Sequence, residues 1–416
     1  MSIPLALYLH IPFCAVRCGY CDFNTYAGLE GLFEPYTAAL AAEIRRAGVE
    51  RGRPAVRTIF IGGGTPTVLP PELLAGVLDV CREAFDVAAD AEITSEANPG
   101  TVDQVHFVAL AAMGVNRLSM GVQSFDDAEL RWLGRIHSAA EAEAAFQAAR
   151  ATGFANINFD FIFGLPGQDP TTWVRTLARA INLAPEHLSL YSLTVEPGTP
   201  LFDQVHRGAI AEPDDDQSAD LYLAAGEALA AGGYQQYEIS NWARMADGKW
   251  QTANRYSQIA GGKEQGANDQ FAVCSLRFTP SFQCRHNLVY WRHEPYLGFG
   301  AGAHSFAGER RWWNVRPVPE YIRRIAAGQT PEHEGEAIDR RLAMGEMLML
   351  GLRLVQEGVE DVRFRARFGV GLDAAFGAEI AGLVRRGLLE RRPERVRLTP
   401  EGRLLGNQVF AEFLPA

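Results

Sequence analysis

Leu5 to Phe23, LALYLHIPFCAVRCGYCDF, runs an alternating apolar segment directly into three cysteines spaced C-x3-C-x2-C. The alternation over Leu5 to Ile11 predicts a half-buried β-strand. Cys14, Cys18 and Cys21 then fall on the loop at its carboxyl end, so three thiolates converge where a sheet opens. Thiolate is the natural ligand of an iron–sulfur cluster. A closed structural zinc site needs four ligands, and no fourth cysteine or histidine follows at a suitable spacing. Three ligands on a four-iron cube leave one iron open to a small molecule.

Working outward, runs rich in Val, Ile, Leu, Phe and Tyr recur at 57–61, 91–97, 117–123, 156–163 and 187–195. Between them lie segments with apolar residues three and four apart: Phe33 to Ala47, Pro71 to Phe85, Val102 to Met113, Ala139 to Thr152 and Thr171 to Asn182. Strands alternating with helices predict a parallel sheet, and six such units predict an α/β fold built on a partial (β/α)6 barrel. Polar or glycine-bearing residues gather after the strand runs: the cysteines, then Gly62 to Thr67, Glu96 to Gly100, and Gln123. The carboxyl ends of parallel strands are where such folds assemble chemistry, so one working face is expected. Cys81 falls among Leu74, Val77, Leu78 and Phe85 on an apolar helix face and reads as core.

The rhythm changes after about residue 205. The expected organisation is a barrel over 1–205, an α+β middle region over 206–335, and a small winged-helix-like domain over 336–416. Within the middle region, residues 245–280 are rich in Gly, Ala, Gln, Asn and Ser, and read as a long loop or insertion. A net charge of -11 argues against a phosphate backbone as partner. The C-terminal 77 residues mix 13 arginines with 10 acids, which is no basic footprint for nucleic acid. Six cysteines in 416 residues, three of them within eight, point to metal rather than to a disulfide framework. The chain goes from Met1 into a strand without a secretory signal, and no apolar run approaches the ~20 residues of a membrane span. A cytoplasmic protein, not integral to a membrane, is expected.

Six motifs carry a family resemblance: YLHIPFCAVRCGYC at 8–21, GGGTPT at 62–67, SEANPGT at 95–101, GVQSF at 121–125, LGRIHS at 133–138 and NFDFIFGLPGQ at 158–168. On these the chain resembles the radical S-adenosylmethionine superfamily, over nearly its whole length. The resemblance implies a [4Fe-4S] cluster on Cys14, Cys18 and Cys21, with S-adenosylmethionine on the fourth iron. It places Tyr8 and Tyr20 against that cofactor, with Gly63, Gly64 and Thr65 at its amino acid end. Glu96, Gln123, Arg135 and Asp160 would hold the rest: carboxylates can accept from an ammonium and from ribose hydroxyls, and a guanidinium can pair with a carboxylate. Singly, each has a plainer reading as a tight turn or a buried pair.

More narrowly, the chain resembles the subfamily of oxygen-independent coproporphyrinogen III oxidases and HemW-type haem chaperones. Three departures favour the chaperones. Phe23 stands where the oxidases carry a further cysteine, only thirteen residues precede Cys14, and CRHNLVYW at 284–291 resembles a haem-binding motif. The resemblance makes His286 the haem ligand, consistent with imidazole as the commonest axial partner of haem iron; the plain alternative is a structural histidine. Trp242, Trp250, Trp291, Trp312 and Trp313 cluster in or near this region and suit either a porphyrin face or an ordinary core. Arg285 and Arg292 could meet propionates or sit on solvated loops. Cys284 reads equally as a haem-side thiol or as packing. The expected partners are haem and recipient haemoproteins, membrane-bound respiratory enzymes among them, with coproporphyrinogen III dehydrogenation as the alternative function. About forty residues, Cys274 included, separate SNWAR from the C-x-H-N stretch, where the family has only a few.

Overall fold

Six strands lie side by side in chain order, every neighbouring pair parallel: β1 (Leu5–Ile11), β2 (Ala55–Gly63), β3 (Asp86–Ala97), β4 (Arg117–Gln123), β5 (Ile157–Phe163) and β6 (His187–Ser192). The computed structural model describes residues 4–244 and 282–415, and the loop expected at 245–280 lies outside them. β1 and β6 do not pair with each other, so the barrel is open, as the six-unit alternation implies. The strand expected over 187–195 ends at Ser192, and the Leu193 N–H makes the last rung to β5 by donating to the carbonyl of Phe163.

Period-two alternation sorts the side chains of these strands. Leu7, Leu9 and Ile11 are fully buried in a core shared with Leu40 and Ile44 of the helix Phe33–Arg51 and with Ile59 and Ile61. Each such side chain contributes roughly 1.5–3 kcal/mol by leaving water. The opposite face lines the barrel interior, and there the residues are polar: Thr58, Glu92, Arg117, Asn158, His187 and Ser189 are all buried. They are joined by hydrogen bonds, with His187 Nδ1 2.6 Å from Asn158 Oδ1 and Ser189 Oγ 3.1 Å from the same oxygen. A paired interior of this kind fixes strand register, because an unpaired buried group is costly.

The sheet continues beyond the six parallel strands on both sides. β7 (Tyr234–Glu238) and β8 (Asn241–Arg244) extend it antiparallel from β6. β9 (Tyr296–Phe299) pairs parallel with β1, and β10 (His304–Ala307), β11 (Arg310–Asn314) and β12 (Glu332–Ala337) follow antiparallel, giving twelve strands in all. The short helix Arg285–Trp291 plugs the barrel from below, its first backbone N–H groups held by the buried Glu92 carboxylate: Arg285 N to Oε2 at 3.0 Å and His286 N to Oε1 at 2.9 Å. Carboxylates are favoured at helix N-termini, where amide donors are otherwise unsatisfied.

From Arg340 onward the chain builds a second core. The helices Arg340–Gly351, Asp361–Phe368 and Leu372–Arg385 pack around Phe364, Phe376, Leu383 and Val396. A small sheet of β13 (Val359–Glu360), β14 (Leu389–Arg392) and β15 (Arg395–Leu398) forms the wing. Arg353 Nε ties this part to the antiparallel edge of the large sheet through the fully buried Glu238 of β7, at 2.8 Å. Among the described residues no helix is long and apolar enough to cross a membrane.

Candidate functional site

All the strand-end motifs meet on one face. Pairing of β1 with β2 sets His10 beside Gly62 and Ile11 beside Gly63, which brings the cysteine loop against the glycine run. Gly64 N donates to Ile11 O at 2.8 Å and Thr65 N to Phe13 O at 2.7 Å. A methyl group on Gly64 would stand 2.5 Å from that Phe13 oxygen, and Gly63 has φ 109, so only glycine permits this approach. The result is a cleft of about 510 Å3 walled by Cys14, Cys18, Cys21 and Tyr20 on one side. Gly63, Gly64, Thr65, Glu96, Gln123, Arg135 and Asp160 complete its lining.

The three thiols are half-buried and each has a polar neighbour. Thr65 Oγ1 lies 3.7 Å from Cys14 Sγ, Arg135 Nη1 3.4 Å from Cys18 Sγ, and Thr25 Oγ1 3.9 Å from Cys21 Sγ. Burial pushes the Cys14 and Cys21 thiols above their ordinary range, Thr65 and Thr25 pulling the other way. Thiolates in such a setting call for a cationic centre, so the donor chemistry fits an iron–sulfur cluster. Among the described residues no group of three His, Cys, Asp or Glu side chains is gathered for a single metal ion.

Arg135 is held by the Gly121 carbonyl at 2.8 Å, yet its buried Nε has no partner among the described residues. An orphaned guanidinium donor beside the thiols suits the carboxylate of an amino acid ligand. The adjoining capping box, in which Ser138 and Glu141 satisfy each other's backbone donors, fixes the start of the helix Ala139–Ala151 three residues further on. Gln123 ends β4 with φ 65, a left-handed conformation that a non-glycine residue adopts at a cost of order 1–3 kcal/mol.

Opposite, Glu96 accepts from Gly63 N at 2.9 Å, while Asp160 accepts from Ser119 Oγ at 2.9 Å and Asn158 Nδ2 at 2.8 Å. Burial, then the Asp160 charge, push the Glu96 carboxyl up to about 8; burial also raises Asp160. A cationic ligand would relieve both. Ser119, which with Asn158 orients Asp160, carries no motif signal of its own; its clue is its place on the interior face of β4, while Asn158 opens the motif at 158–168 two residues before Asp160.

Tyr8 stands apart from this cleft. Together with Tyr290, Tyr296, His304, Trp313 and Arg316 it lines a second chamber of about 600 Å3. Asp22, Phe23, Gly63 and Glu96 border both spaces, making the chambers neighbours across one wall. Tyr8 stacks on Phe60, ring centres 6.3 Å apart, and its hydroxyl meets His10 Nδ1 at 3.0 Å. Phe23 is 63% exposed at the junction.

His286 is not brought to either surface. It is fully buried, with Nδ1 2.9 Å from Thr58 Oγ1 and Nε2 2.8 Å from the Tyr290 hydroxyl. Burial, then Arg117 and Arg57, push its ring down to about 3. Cys284 is likewise buried, its sulfur 3.7 Å from Glu92 Oε1. Arg285 donates to the Asp90 carbonyl, and Arg292 pairs with Glu357 at 2.7 Å. Sequence reasoning passed over His10, Tyr296, His304 and Arg316; the signal available was the glycine-bearing GAGAHS directly after β9, the same strand-then-glycine pattern that marked residues 62–67.

Comparison with known proteins bears directly on this arrangement. Residues 8–180 match the Radical SAM superfamily and residues 338–405 the HemN C-terminal domain. The chain is 37% identical over 408 residues to the heme chaperone HemW of Bacillus subtilis, covering 98% of each protein. It is 36% identical over 419 residues to that of Escherichia coli, covering 99% of this chain and 98% of the relative. Among solved structures, the coproporphyrinogen III oxidase HemN of Escherichia coli, described as a radical SAM enzyme, superposes with a TM-score of 0.80. That alignment has 25% identity and covers 99% of this chain and 90% of HemN.

Proposed function

Since the chain belongs to the HemW family of radical SAM proteins, we propose that it is a haem chaperone: it binds haem and delivers it to recipient haemoproteins. The observation that carries this reading is the pair of adjoining chambers, one lined by thiols, carboxylates and a guanidinium, the other by aromatic rings and histidine. In this reading Cys14, Cys18 and Cys21 hold a [4Fe-4S] cluster, and Arg135 and Glu96 take the carboxylate and ammonium of S-adenosylmethionine. Asp160, Gln123, Tyr20 and Thr65 complete that cleft, while Tyr8, which the family resemblance sets against the cofactor, lines the neighbouring aromatic chamber. A bound cluster supplies an open iron for the cofactor and a source of one electron. His286 enters as the haem ligand that the family resemblance names; to reach iron it gives up its bond to Tyr290. The chaperone acts in the cytoplasm, and its recipients include membrane-bound respiratory enzymes.

Coproporphyrinogen III dehydrogenation is the second reading, favoured by the likeness to HemN. Phe23, standing exposed where the oxidases carry another cysteine, weighs against it. Anaerobic cluster reconstitution followed by two assays on one sample tests the pair. The expected outcome is saturable haem binding, transfer of that haem to an apo-haemoprotein, and no decarboxylation of coproporphyrinogen III with reductant. Vigorous decarboxylation would establish the second reading instead.

A further inference from the structure

The aromatic chamber holds three histidines on or just behind its walls, and they differ sharply in what they can offer a metal. His10 has both ring nitrogens engaged, Nδ1 with the Tyr8 hydroxyl at 3.0 Å and Nε2 with the Asn24 carbonyl at 3.0 Å. His286 is engaged on both sides by Thr58 and Tyr290 and has no exposed surface. His304 is exposed, and among the described residues neither of its ring nitrogens has a hydrogen-bond partner. Its ring is nonetheless placed: His304 and Trp313 are directly opposed cross-strand partners in β10 and β11, stacked at 5.4 Å with an interplanar angle of 22°. Partial burial, then the charges of Arg311 and Arg316, hold His304 below its ordinary range, keeping it in the neutral form that binds metal.

The backbone around His304 is built to hold that position. The β9–β10 turn is so tight that a side chain on Gly298 would stand 2.0 Å from the His304 carbonyl oxygen. Asn24, just past the cysteine loop, donates to the carbonyls of Ala301 and Arg316 at 3.0 Å each, locking the rim of the chamber to the cysteine loop. Arg316 itself lines the chamber and has no ion pair among the described residues. A flat iron-bearing ring with carboxylate arms needs aromatic walls, one accessible imidazole and a cation at the rim. A chamber of about 600 Å3 is within the roughly 300–1,000 Å3 of small-molecule sites.

We propose that His304 is an axial ligand of the haem iron in the Tyr8–Trp313 chamber, with Arg316 pairing with a propionate at its rim. The proposal rests on the haem-carrier reading above and names the residue that first takes the iron there. It leaves His286 as a buried group that can join only after Tyr290 moves.

The test is haemin titration of the full, anaerobically reconstituted chain, following the Soret band and the apparent affinity for the unaltered protein, His304→Ala, His304→Met and His286→Ala. His304→Ala is expected to lose the ligand-field signature and to weaken binding about tenfold or more. His304→Met is expected to restore an axially ligated spectrum with a thioether signature, which a merely structural role would not do. Loss in both alanine variants, with far-ultraviolet circular dichroism intact, supports His304 and adds His286 as a second ligand. A His304→Ala protein with the unaltered spectrum and affinity overturns the proposal, as does loss confined to His286→Ala. If the unaltered chain binds no haem at all, the haem-carrier reading falls and this inference with it.

Discussion

The two chambers of this molecule share a wall yet are assembled by opposite means. The thiol-lined cleft is made by the ends of β1 to β6 and the loops that follow them, each contributing residues close in sequence to a strand end. The aromatic chamber is made by β1 meeting a segment almost three hundred residues away, with Tyr290, Tyr296, His304 and Trp313 arriving on a helix and three short strands. The first is polar, charged and strained at Gln123; the second is aromatic, and most of its hydrogen bonds are already made. A protein that had to bind one cofactor and carry a second, unrelated one would need this division. One region keeps unsatisfied groups for a ligand of fixed shape, and the other offers surface to a cargo that must leave again.

The division can be broken most severely at Cys18. Cys18→Ser is expected to abolish the iron and sulfide content of the reconstituted protein, read by its visible absorption, while haem affinity stays within about threefold. Equal loss of both would mean that the two chambers work as one site. Asp160→Asn removes a half-buried carboxylate that two side chains orient. A weakening of S-adenosylmethionine binding by about 10–100-fold is expected by calorimetry, as befits charge-assisted hydrogen bonds. Unchanged affinity would assign Asp160 to strand register alone.

A gentler probe is pH. Glu96 is raised in the fold to about 8 from an ordinary 4.5, by burial first and the Asp160 charge second, with the Gly63 N–H opposing. A raised carboxyl stabilises the fold fully below its unfolded value, and that contribution is lost as pH rises through about 8. Denaturant unfolding of the ligand-free protein should therefore show stability falling between about pH 5 and 8 and levelling above, with Glu96→Gln flattening the slope. The smallest effect is expected at Tyr290→Phe, which deletes the bond to His286 Nε2. A loss of about 1 kcal/mol in unfolding free energy is expected, with cluster content unchanged.

These contrasts also mark how far the sequence could be read. The six parallel strands were legible because each is a β-branched or aromatic run bounded by turn residues, and the cysteine triplet because no core needs three thiols in eight positions. β12 was not: its sequence, EHEGEA, has no apolar alternation, since it is a largely exposed strand held by backbone pairing with β11. β3 begins at Asp86, five residues before the apolar run that betrays it, because the segment DVAAD pairs only through its first residues with Ala55 and Val56. The cleft residues were named through the motifs, but what Glu92 does was not, because an interior glutamate reveals nothing until the helix it anchors is in place. His304 was missed for a related reason. Its partner, Trp313, lies across a hairpin whose register appears only in three dimensions.

The pairing of β9 with β1 has a consequence for how the chain is made. Tyr296 follows Ile11 by 285 residues, so during synthesis the outer edge of an apolar strand, LALYLHI, waits for its neighbour until all six strands of the barrel have been translated. At about 5–20 residues per second that wait is about 15–60 s. An unpaired, apolar edge is a template for adhesion to other nascent chains. The parallel pairing that closes it is also slow to form, because the contacts are distant in sequence. A ribosome-bound truncation ending before residue 296 should therefore be far stickier, and far more dependent on holdase binding, than one that has released β9 from the exit tunnel.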